Sequence, residues 1–339
     1  MFDLNTLWFI LIAILWTGFY FLEGFDFGVG MLLPFLGRKD EERRAIINTI
    51  GPHWDGNEVW LIAAGGATFA AFPEWYATLF SGFYLPLFLV LIGLIIRGVA
   101  FEFRGKDDNP LWRKLWDWCI FAGSLLPTIL LPIAFANLVR GVPIDANMQY
   151  VGGFFNLLNP YALLASLALT LLVLFHGAAF LNLKTTGEIE GKSRELMRWL
   201  WLLVTLILVI FLVTSFIVTS AIENLNFFMI LFPLAGVVTI LLAGYFMRNQ
   251  QMGKVFLMTC LTVGFFVATI FAFLYPNLMV SSLNPEWSLN IYNASSTAYT
   301  LRLMTIITLI FLPIVLIYQG WSYWVFRKRI TGEPKSLTY

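Results

Sequence analysis

The sequence predicts an all-α membrane protein that crosses the bilayer several times. Of its 339 residues, 59% are hydrophobic and 12% carry a charge, whereas a soluble domain is about a quarter charged. Apolar runs of roughly twenty residues alternate with short polar loops, as membrane-spanning helices require. A net charge of +1 provides no basic field for a nucleic acid. This composition excludes a soluble enzyme, a disordered chain and a nucleic-acid-binding protein.

Nine apolar segments are the predicted spans. They cover residues 7–35, 48–72, 77–104, 113–139, 159–184, 197–221, 226–247, 254–276 and 298–326. Each is near or above the roughly 20 residues that a transmembrane helix needs. The first contains Gly24, Gly28, Gly30 and Pro34, which predict a kink or an early end of that helix. The second is the least apolar of the nine.

The distribution of basic residues predicts the orientation. Of the 21 Lys and Arg residues, 18 lie in alternate loops, within residues 38–44, 104–114, 184–198, 248–254 and 327–335. Because cytoplasmic loops are enriched in Lys and Arg, the amino terminus is expected outside and the carboxyl terminus in the cytoplasm. This alternation requires the second segment to span the membrane.

The chain is expected to form a single membrane domain over residues 1–339. Its loops are short, and no soluble domain is predicted between the spans. By helix count, the spans fall into the groups 1–140 and 150–276, followed by a final helix at 298–326.

Few side chains are available to bind a metal or a haem. The two cysteines, Cys119 and Cys260, are far apart in apolar runs, and the two histidines are His53 and His176. Haem and metal centres depend on several such ligands. We therefore expect no metal site and no directly bound cofactor in this chain.

Once the loop charges are set aside, six charged residues remain in apolar surroundings: Glu23, Asp26, Asp55, Glu58, Arg97 and, near a span end, Glu102; Asp117 opens the fourth helix. An ionised Asp at the bilayer centre costs roughly 2.5–3.5 kcal/mol on insertion scales. These groups must therefore face the protein interior, form pairs or be protonated. In each of the first two helices a pair of acids is three residues apart, which places both acids of a pair near one helix face.

With the predicted orientation, all six groups fall on the cytoplasmic side of the membrane midplane. Carboxylic acids in such a place can pass protons, so the pattern predicts a route for proton uptake from the cytoplasm. Two structural alternatives remain open. Arg97 could form a buried ion pair that fixes helix packing. Asp55 and Glu58 could hydrogen-bond between helices.

Several motifs resemble one family. Residues 51–62 read GPHWDGNEVWLI, residues 23–31 read EGFDFGVGM, and residues 35–44 read FLGRKDEERR. Together with FSGFY at 80–84 and LWDW at 115–118, they closely resemble subunit II of the cytochrome bd quinol oxidases. The resemblance extends from end to end and is weaker over the sixth to eighth spans.

This resemblance implies a role in a larger enzyme of a bacterial or archaeal cytoplasmic membrane. In that family, a heterodimer oxidises quinol and reduces dioxygen to water with four electrons. The haems b and d belong to subunit I, and subunit II generally holds no haem and supports assembly. Small single-span subunits and membrane lipid are further partners that the resemblance allows.

The resemblance also ranks the candidate residues. Asp55 is the first candidate for a proton-conducting group near subunit I, followed by Glu58, Asp26 and Glu23. Arg97, Glu102 and His53 are candidates for orienting these acids or pairing with them. Trp54 is a candidate for lining a pocket for a quinone tail or lipid, with simple packing as the alternative.

Two other functions share some of these features. A proton- or ion-coupled secondary transporter also has acids near the midmembrane and broken helices. Nine spans do not divide into two equal repeats, however, and few buried charges follow the fifth span, which argues against a transporter. A purely structural membrane scaffold differs from the oxidase subunit only in whether the acids conduct protons.

Overall fold

Eleven α-helices make up most of the chain in a computed structural model that describes residues 3–219 and 225–331. They are α1 (Leu4–Leu36), α2 (Asp40–Ile50), α3 (Trp54–Ala71), α4 (Pro73–Gly82), α5 (Tyr84–Phe103), α6 (Pro110–Arg140), α7 (Pro160–Lys184), α8 (Glu188–Val218), α9 (Phe227–Arg248), α10 (Met252–Leu274) and α11 (Ala298–Val325). Two short antiparallel strands, β1 (Asn277–Met279) and β2 (Leu289–Asn290), form a hairpin between α10 and α11. The predicted helical membrane fold is confirmed.

Within the described part of the chain, eight helices are long and apolar enough to cross a membrane. They are α1, α5 with its extension to Lys106, and α6 to α11. The second predicted span corresponds to α3, whose first two turns are made polar by Asp55, Asn57 and Glu58. The count of nine spans and the orientation of the termini therefore stay predictions. Residues 220–221 of the sixth predicted span, and Lys335 of the last basic group, lie outside the described residues.

Two helices differ from the predicted segments. α2 occupies most of the first predicted loop, with an acidic first turn that suits the positive end of the helix dipole. α4 is separate from α5 and begins with Pro73, a residue favoured at the first helical position.

α1 continues through Pro34 to Leu36, which excludes the early end that its glycines and proline predicted. Pro34 lacks a backbone N–H and so removes one hydrogen bond of the helix, and only two helical residues follow it.

Contacts between distant segments define two ends of the helix bundle. One end carries the loops rich in Lys and Arg, such as residues 38–44 and 104–114, and we call it the basic end. There, Nη2 of Arg104 lies 2.8 Å from Oδ1 of Asp40, the first residue of α2. At the opposite end, the hydroxyl of Tyr292 donates to Oδ2 of Asp3 over 3.1 Å. The amino terminus of α1 therefore lies beside the loop that follows the β-hairpin.

α3 connects these two ends. His53, just before α3, lies with its ring 5.9 Å from the ring of Phe326, and Nζ of Lys184 at the basic end donates to the Phe326 carbonyl. At the other end of α3, the backbone N–H of Ser296 donates to the carbonyl of Ala71 over 2.9 Å. With 18 residues, α3 is about 27 Å long, close to the roughly 30 Å of a bilayer core.

α1 is the central helix, and glycines let its neighbours approach closely. It is buried without interruption from residue 22 to residue 33. At its crossing with α7, a Cβ on Gly28 would lie 2.2 Å from the carbonyl oxygen of Val173, and a Cβ on Gly177 would lie 2.5 Å from the carbonyl carbon of Gly28. Small residues at such crossings are typical of membrane helices, where close backbone packing drives association. This packing positions the acids of α1 against α3 and α5.

Candidate functional site

The candidate site is a polar cluster in the interior, between α1, α3, α5 and α11. Its members are Glu23 and Asp26 of α1, Asn57 and Glu58 of α3, Arg97 of α5, and Gln319 and Tyr323 of α11. We call this set the Arg97 cluster. It brings together three of the four acids that the sequence proposed for proton transfer.

Arg97 is fully buried and links three helices. Its Nη1 donates to Oε1 of Glu23 and lies 3.3 Å from Oε2 of Glu58. The guanidinium carbon is 4.9 Å from the ring centroid of Phe27 and 5.3 Å from that of Phe101. Aromatic faces at this distance attract a cation and replace part of its lost hydration. Arg97 and Glu23 form an ion pair in which both side chains are fully buried.

A close crossing of α5 and α6 brings Arg97 into this position. A Cβ on Gly123 of α6 would lie 2.4 Å from the carbonyl oxygen of Gly93 and 2.6 Å from Cβ of Arg97. Glycine at 123 therefore lets the backbone of α6 pack against the base of the arginine side chain, which is directed away from α6 towards α1 and α3.

Asn57 connects the acids of α1 to the last helix. Its Nδ2 donates to Oδ2 of Asp26 over 2.6 Å and to the carbonyl of Leu22 over 3.2 Å. Its Oδ1 accepts from Nε2 of Gln319 at 2.8 Å and from the hydroxyl of Tyr323 at 2.9 Å. Because α11 lies at the edge of the bundle and is mostly exposed, these two bonds are among its main polar attachments.

The cluster retains unused hydrogen-bonding capacity. Oε2 of Glu23, Oδ1 of Asp26, and Nε and Nη2 of Arg97 are buried without a hydrogen-bond partner among the described residues. Buried polar atoms in folded proteins are generally paired. Each of the two acids therefore has one oxygen bonded to Arg97 or Asn57, and a second oxygen that no other N–H or hydroxyl group of the described residues reaches.

Asp55 and Glu102 lie outside the Arg97 cluster. Both are exposed, Asp55 in the first turn of α3 and Glu102 near the end of α5. Glu58 lies one turn after Asp55, and its side chain is 21% exposed. It therefore contacts Arg97 on one side and reaches towards the open face of α3 on the other.

The open face of α3 continues beyond Asp55 along the whole helix. Val59, Ile62 and Phe69 are 51%, 72% and 57% exposed, and a Cβ added to Gly66 would meet no atom within 4 Å. The spacing of these positions places them on one stripe of the helix. An exposed carboxylate and glycine on the same apolar stripe form a surface poorly suited to lipid alone.

His53 and Trp54 pack against aromatic residues. The His53 ring stacks on Tyr323 of the cluster, with centroids 4.4 Å apart and an angle of 8° between the planes. Trp54 packs on Phe101 with centroids 5.1 Å apart. His53 therefore supports the side chain that bonds Asn57, and it forms no ion pair with the acids of the described residues.

The two histidines lie in the protein interior. Nδ1 of His176 is 2.7 Å from Oγ1 of Thr259, and its Nε2 is 3.0 Å from the carbonyl oxygen of Phe21, so both ring nitrogens are in use. His53 is 4% exposed and lies among aromatic rings. In the part of the chain that the structure describes, no group of three His, Cys, Asp or Glu side chains could hold a metal ion.

Three members of the cluster were not among the residues that the sequence proposed. Asn57, Gln319 and Tyr323 are neutral, so charges in apolar segments do not reveal them. An amide in an apolar span is itself a signal, because a side chain such as Gln319 needs a partner in a neighbouring helix. That partner, Asn57, is 262 positions away in the sequence.

Comparison with known proteins supports the resemblance. Residues 4–326 match the family model described as cytochrome bd terminal oxidase subunit II. The chain is 44% identical over 339 residues to cytochrome bd ubiquinol oxidase subunit 2 of Bacillus subtilis, with 100% of both chains covered. It is 38% identical to cytochrome bd-I ubiquinol oxidase subunit 2 of Escherichia coli, with 97% of this chain and 96% of that protein covered.

A solved structure shares the fold. The bd oxidase from Geobacillus thermodenitrificans contains a chain that matches with a TM-score of 0.77 at 18% sequence identity. The match covers 96% of this chain and 99% of that chain. The helical arrangement described above is therefore one that occurs in a bd oxidase.

Proposed function

Because this chain belongs to the cytochrome bd terminal oxidase subunit II family, we propose that it is the haem-free subunit of a quinol:dioxygen oxidoreductase in the bacterial cell membrane. The match over residues 4–326 is the observation that carries this proposal. A heterodimer partner, subunit I, would carry haems b and d, and these haems would supply the electron transfer to oxygen. The two relatives compared above match this chain over nearly their whole length and are named as oxidase subunits. They therefore do not support the transporter alternative.

The Arg97 cluster and Asp55 would serve proton supply in that complex. Reduction of one dioxygen to two water molecules consumes four protons, and they must reach a site inside the membrane. Glu23, Asp26 and Glu58 form an acid group in the interior, and one oxygen of Glu23 and one of Asp26 accept no hydrogen bond from an N–H or hydroxyl group of the described residues. Each can accept a proton and release it to a neighbouring group.

Within the cluster, Arg97 would divide the acids into two kinds. Glu23 is fully buried and paired with the guanidinium, so its charge is held by an opposite charge that cannot leave. Glu58 lies at 3.3 Å from the same nitrogen and is partly exposed, so its link to Arg97 is looser. Glu58 is therefore the better relay, and Glu23 the better anchor.

We place subunit I against the open face of α3. This face presents Asp55, Val59, Ile62 and Gly66, with the carboxylate at the basic end. A facing helix would cover the carboxylate and pack closely over Gly66. A proton entering from the basic end would then reach Asp55 first, and would pass from Asp55 to the partner or to Glu58, one turn later. In this arrangement α3 is a ninth span.

The first test of this function replaces Asp55 in the assembled complex. Asp55→Asn keeps the shape of the side chain and removes its ability to carry a proton. Oxygen consumption is expected to fall by at least about tenfold, because a positioned acid contributes a factor of this order or more. Glu41→Gln, an exposed carboxylate of α2 at the same end of the bundle, serves as the matched control.

Haem content per complex distinguishes a role of Asp55 in proton transfer from a role in assembly. Full haem content with unchanged oxygen consumption in Asp55→Asn contradicts the proton role. Loss of assembly in both Asp55→Asn and Asp55→Glu assigns the residue to packing against the partner. A purified complex that contains this chain and shows no haem absorption contradicts the oxidase function itself.

A further inference from the structure

A cleft rich in arginine lies between the start of α8 and the end of α9, away from the Arg97 cluster. It has a volume of about 420 Å³, and its walls include Arg194, Arg198 and Trp201 of α8 and Arg248 of α9. No carboxylate is among the described residues that line it. Three guanidinium groups around one small volume create a strong local preference for an anion.

These guanidinium groups have capacity left for a ligand. Arg198 makes no ion pair with any described residue, and Arg248 contacts the Trp201 ring, 5.9 Å from its centroid. Arg194 donates from Nη2 to Oε1 of Glu190 at 3.0 Å, but its Nε is buried without a hydrogen-bond partner in the described part of the chain. Of the three arginines, only Arg194 forms an ion pair with a described residue, and its buried Nε remains unused.

The wall of the cleft is built rigidly. Nε1 of Trp201 donates to the carbonyl of Ile240 over 2.8 Å. A Cβ on Gly244 would lie 2.3 Å from the indole ring, so the glycine makes room for it against α9. The indole therefore has a fixed position from which it supports the guanidinium of Arg248.

The surface next to the cleft is apolar and open. Leu202, Leu206 and Leu241 are 53%, 57% and 48% exposed on the adjoining faces of α8 and α9. Basic side chains at the ends of two apolar helices lie at the level of lipid headgroups. A ligand with a phosphate and two hydrocarbon chains matches both parts of this surface, whereas a soluble phosphate matches only the arginines.

We propose that this cleft is a binding site for an anionic phospholipid. Its phosphate accepts hydrogen bonds from the guanidinium groups of Arg194, Arg198 and Arg248, since guanidinium groups pair with phosphate through several parallel N–H bonds. Its acyl chains lie along Leu202 and Leu206. The site would fasten the start of α8 to the end of α9, two helices that meet near this cleft through Trp201 and Ile240.

The test measures lipid retention by native mass spectrometry of the purified complex. The probes are palmitoyl-oleoyl phosphatidylglycerol and the zwitterionic phosphatidylcholine with the same chains. We expect retained phosphatidylglycerol at this site, and an at least about fivefold loss of it in Arg198→Gln/Arg248→Gln, because two of the three charged donors are removed. Arg38→Gln/Lys114→Gln removes two exposed charges elsewhere at the same end and is expected to retain the lipid within about twofold.

A second variant and a soluble competitor complete the test. Arg198→Glu changes one exposed side chain and reverses its charge, so it should lose the lipid while the complex stays assembled. Equal retention in wild type and in both cleft variants overturns the proposal, as does an equal loss in the control pair. Displacement of the lipid by an equal concentration of glycerol 3-phosphate also overturns it, because the site then recognises phosphate without the chains.

Discussion

Arg97 shows how one charged side chain can be kept in a membrane interior. Its charge is opposed by Glu23 and Glu58 and covered by two aromatic faces. Removing one partner of a buried ion pair leaves the other charge without compensation, which costs roughly 3–5 kcal/mol. Replacing both partners together avoids that cost.

The coupling of these charges predicts the outcome of a double substitution. Arg97→Gln alone should strongly reduce the yield of assembled complex, because Glu23 and Glu58 are left beside each other without a cation. Arg97→Gln/Glu23→Gln should recover a large part of that yield. Size-exclusion chromatography and haem content per complex measure the yields of the single and the double variant. Equal yields of the single and double variants would contradict a coupled ion pair.

Glu42 offers a test outside the spans. Burial of its carboxyl opposes ionisation, but the backbone N–H groups of Arg38 and Lys39, at 2.7 and 3.2 Å, and Nζ of Lys192, at 3.3 Å, outweigh this effect and lower its pKa. A pKa lowered by folding stabilises the protein above the unfolded pKa, about 4.3. That stabilisation is lost as the pH falls through the folded value.

Glu42→Gln should therefore lower the Tm of the complex by about 2 °C at pH 7, as expected for a partly screened interaction of under about 1 kcal/mol. The difference from wild type should shrink as the pH falls below about 4.3. Scanning fluorimetry over this pH range measures it, with the exposed Glu41→Gln as control. A difference that grows on acidification would contradict the assigned interactions.

At the scale of helices, glycines decide which pairs approach closely. Gly28 and Gly177 meet where α1 crosses α7, and Gly93 and Gly123 meet where α5 crosses α6. Both crossings position charged members of the Arg97 cluster, because Glu23 and Asp26 lie on α1 and Arg97 on α5. A helix displaced at either crossing would separate the acids from the arginine.

Gly28→Ala tests the first crossing. The added Cβ would lie 2.2 Å from a backbone carbonyl of α7, so a helix must shift, at an expected cost of about 1–3 kcal/mol. The Tm of the complex should fall and its oxygen consumption should decrease with it. Gly253→Ala of α10, where a Cβ would meet no atom within 4 Å, should leave both unchanged. Equal behaviour of the two variants would contradict the role of the crossing.

At the scale of the whole molecule, α3 decides the topology. The structure has the two ends of α3 at opposite ends of the bundle, although α3 is not among the eight described helices that are long and apolar enough to cross a membrane. Its polar side, with Asn57 and Glu58, faces the cluster, so lipid would not meet most of its polar groups. A helix of this kind can cross a membrane because its neighbours, more than its hydropathy, stabilise it.

Labelling with an impermeant maleimide tests this topology in intact cells. In a chain without Cys119 and Cys260, Glu74→Cys and Glu286→Cys should react from outside, and Lys39→Cys should react only after permeabilisation. All three substituted side chains are exposed, and Glu74 follows α3 while Lys39 precedes it. Labelling of Glu74→Cys and Lys39→Cys from the same side would show that α3 does not cross.

Much of the fold could be predicted from hydropathy, because each span must satisfy its own backbone in lipid and so appears as a local apolar run. α2 and α4 were not predicted, since short helices beside spans leave weak hydropathy signals. Of the site, the acids and Arg97 were found because charges in apolar runs are conspicuous. Asn57 and Gln319 were not predicted as site residues, because their role depends on a contact between two segments that are far apart in the sequence.

By itself, the sequence determined the membrane environment, the approximate helices and the membership of one family, since these depend on local composition and on motifs such as residues 51–62. The tertiary structure decided which acids share the arginine and which remain outside it. Glu23 and Asp55 have the same kind of sequence neighbourhood, yet one is fully buried beside Arg97 and the other is exposed on α3. The physical reason is that burial and pairing depend on how the helices are oriented where they cross at glycines. That orientation depends on two helices at once, so the sequence of one segment does not reveal it.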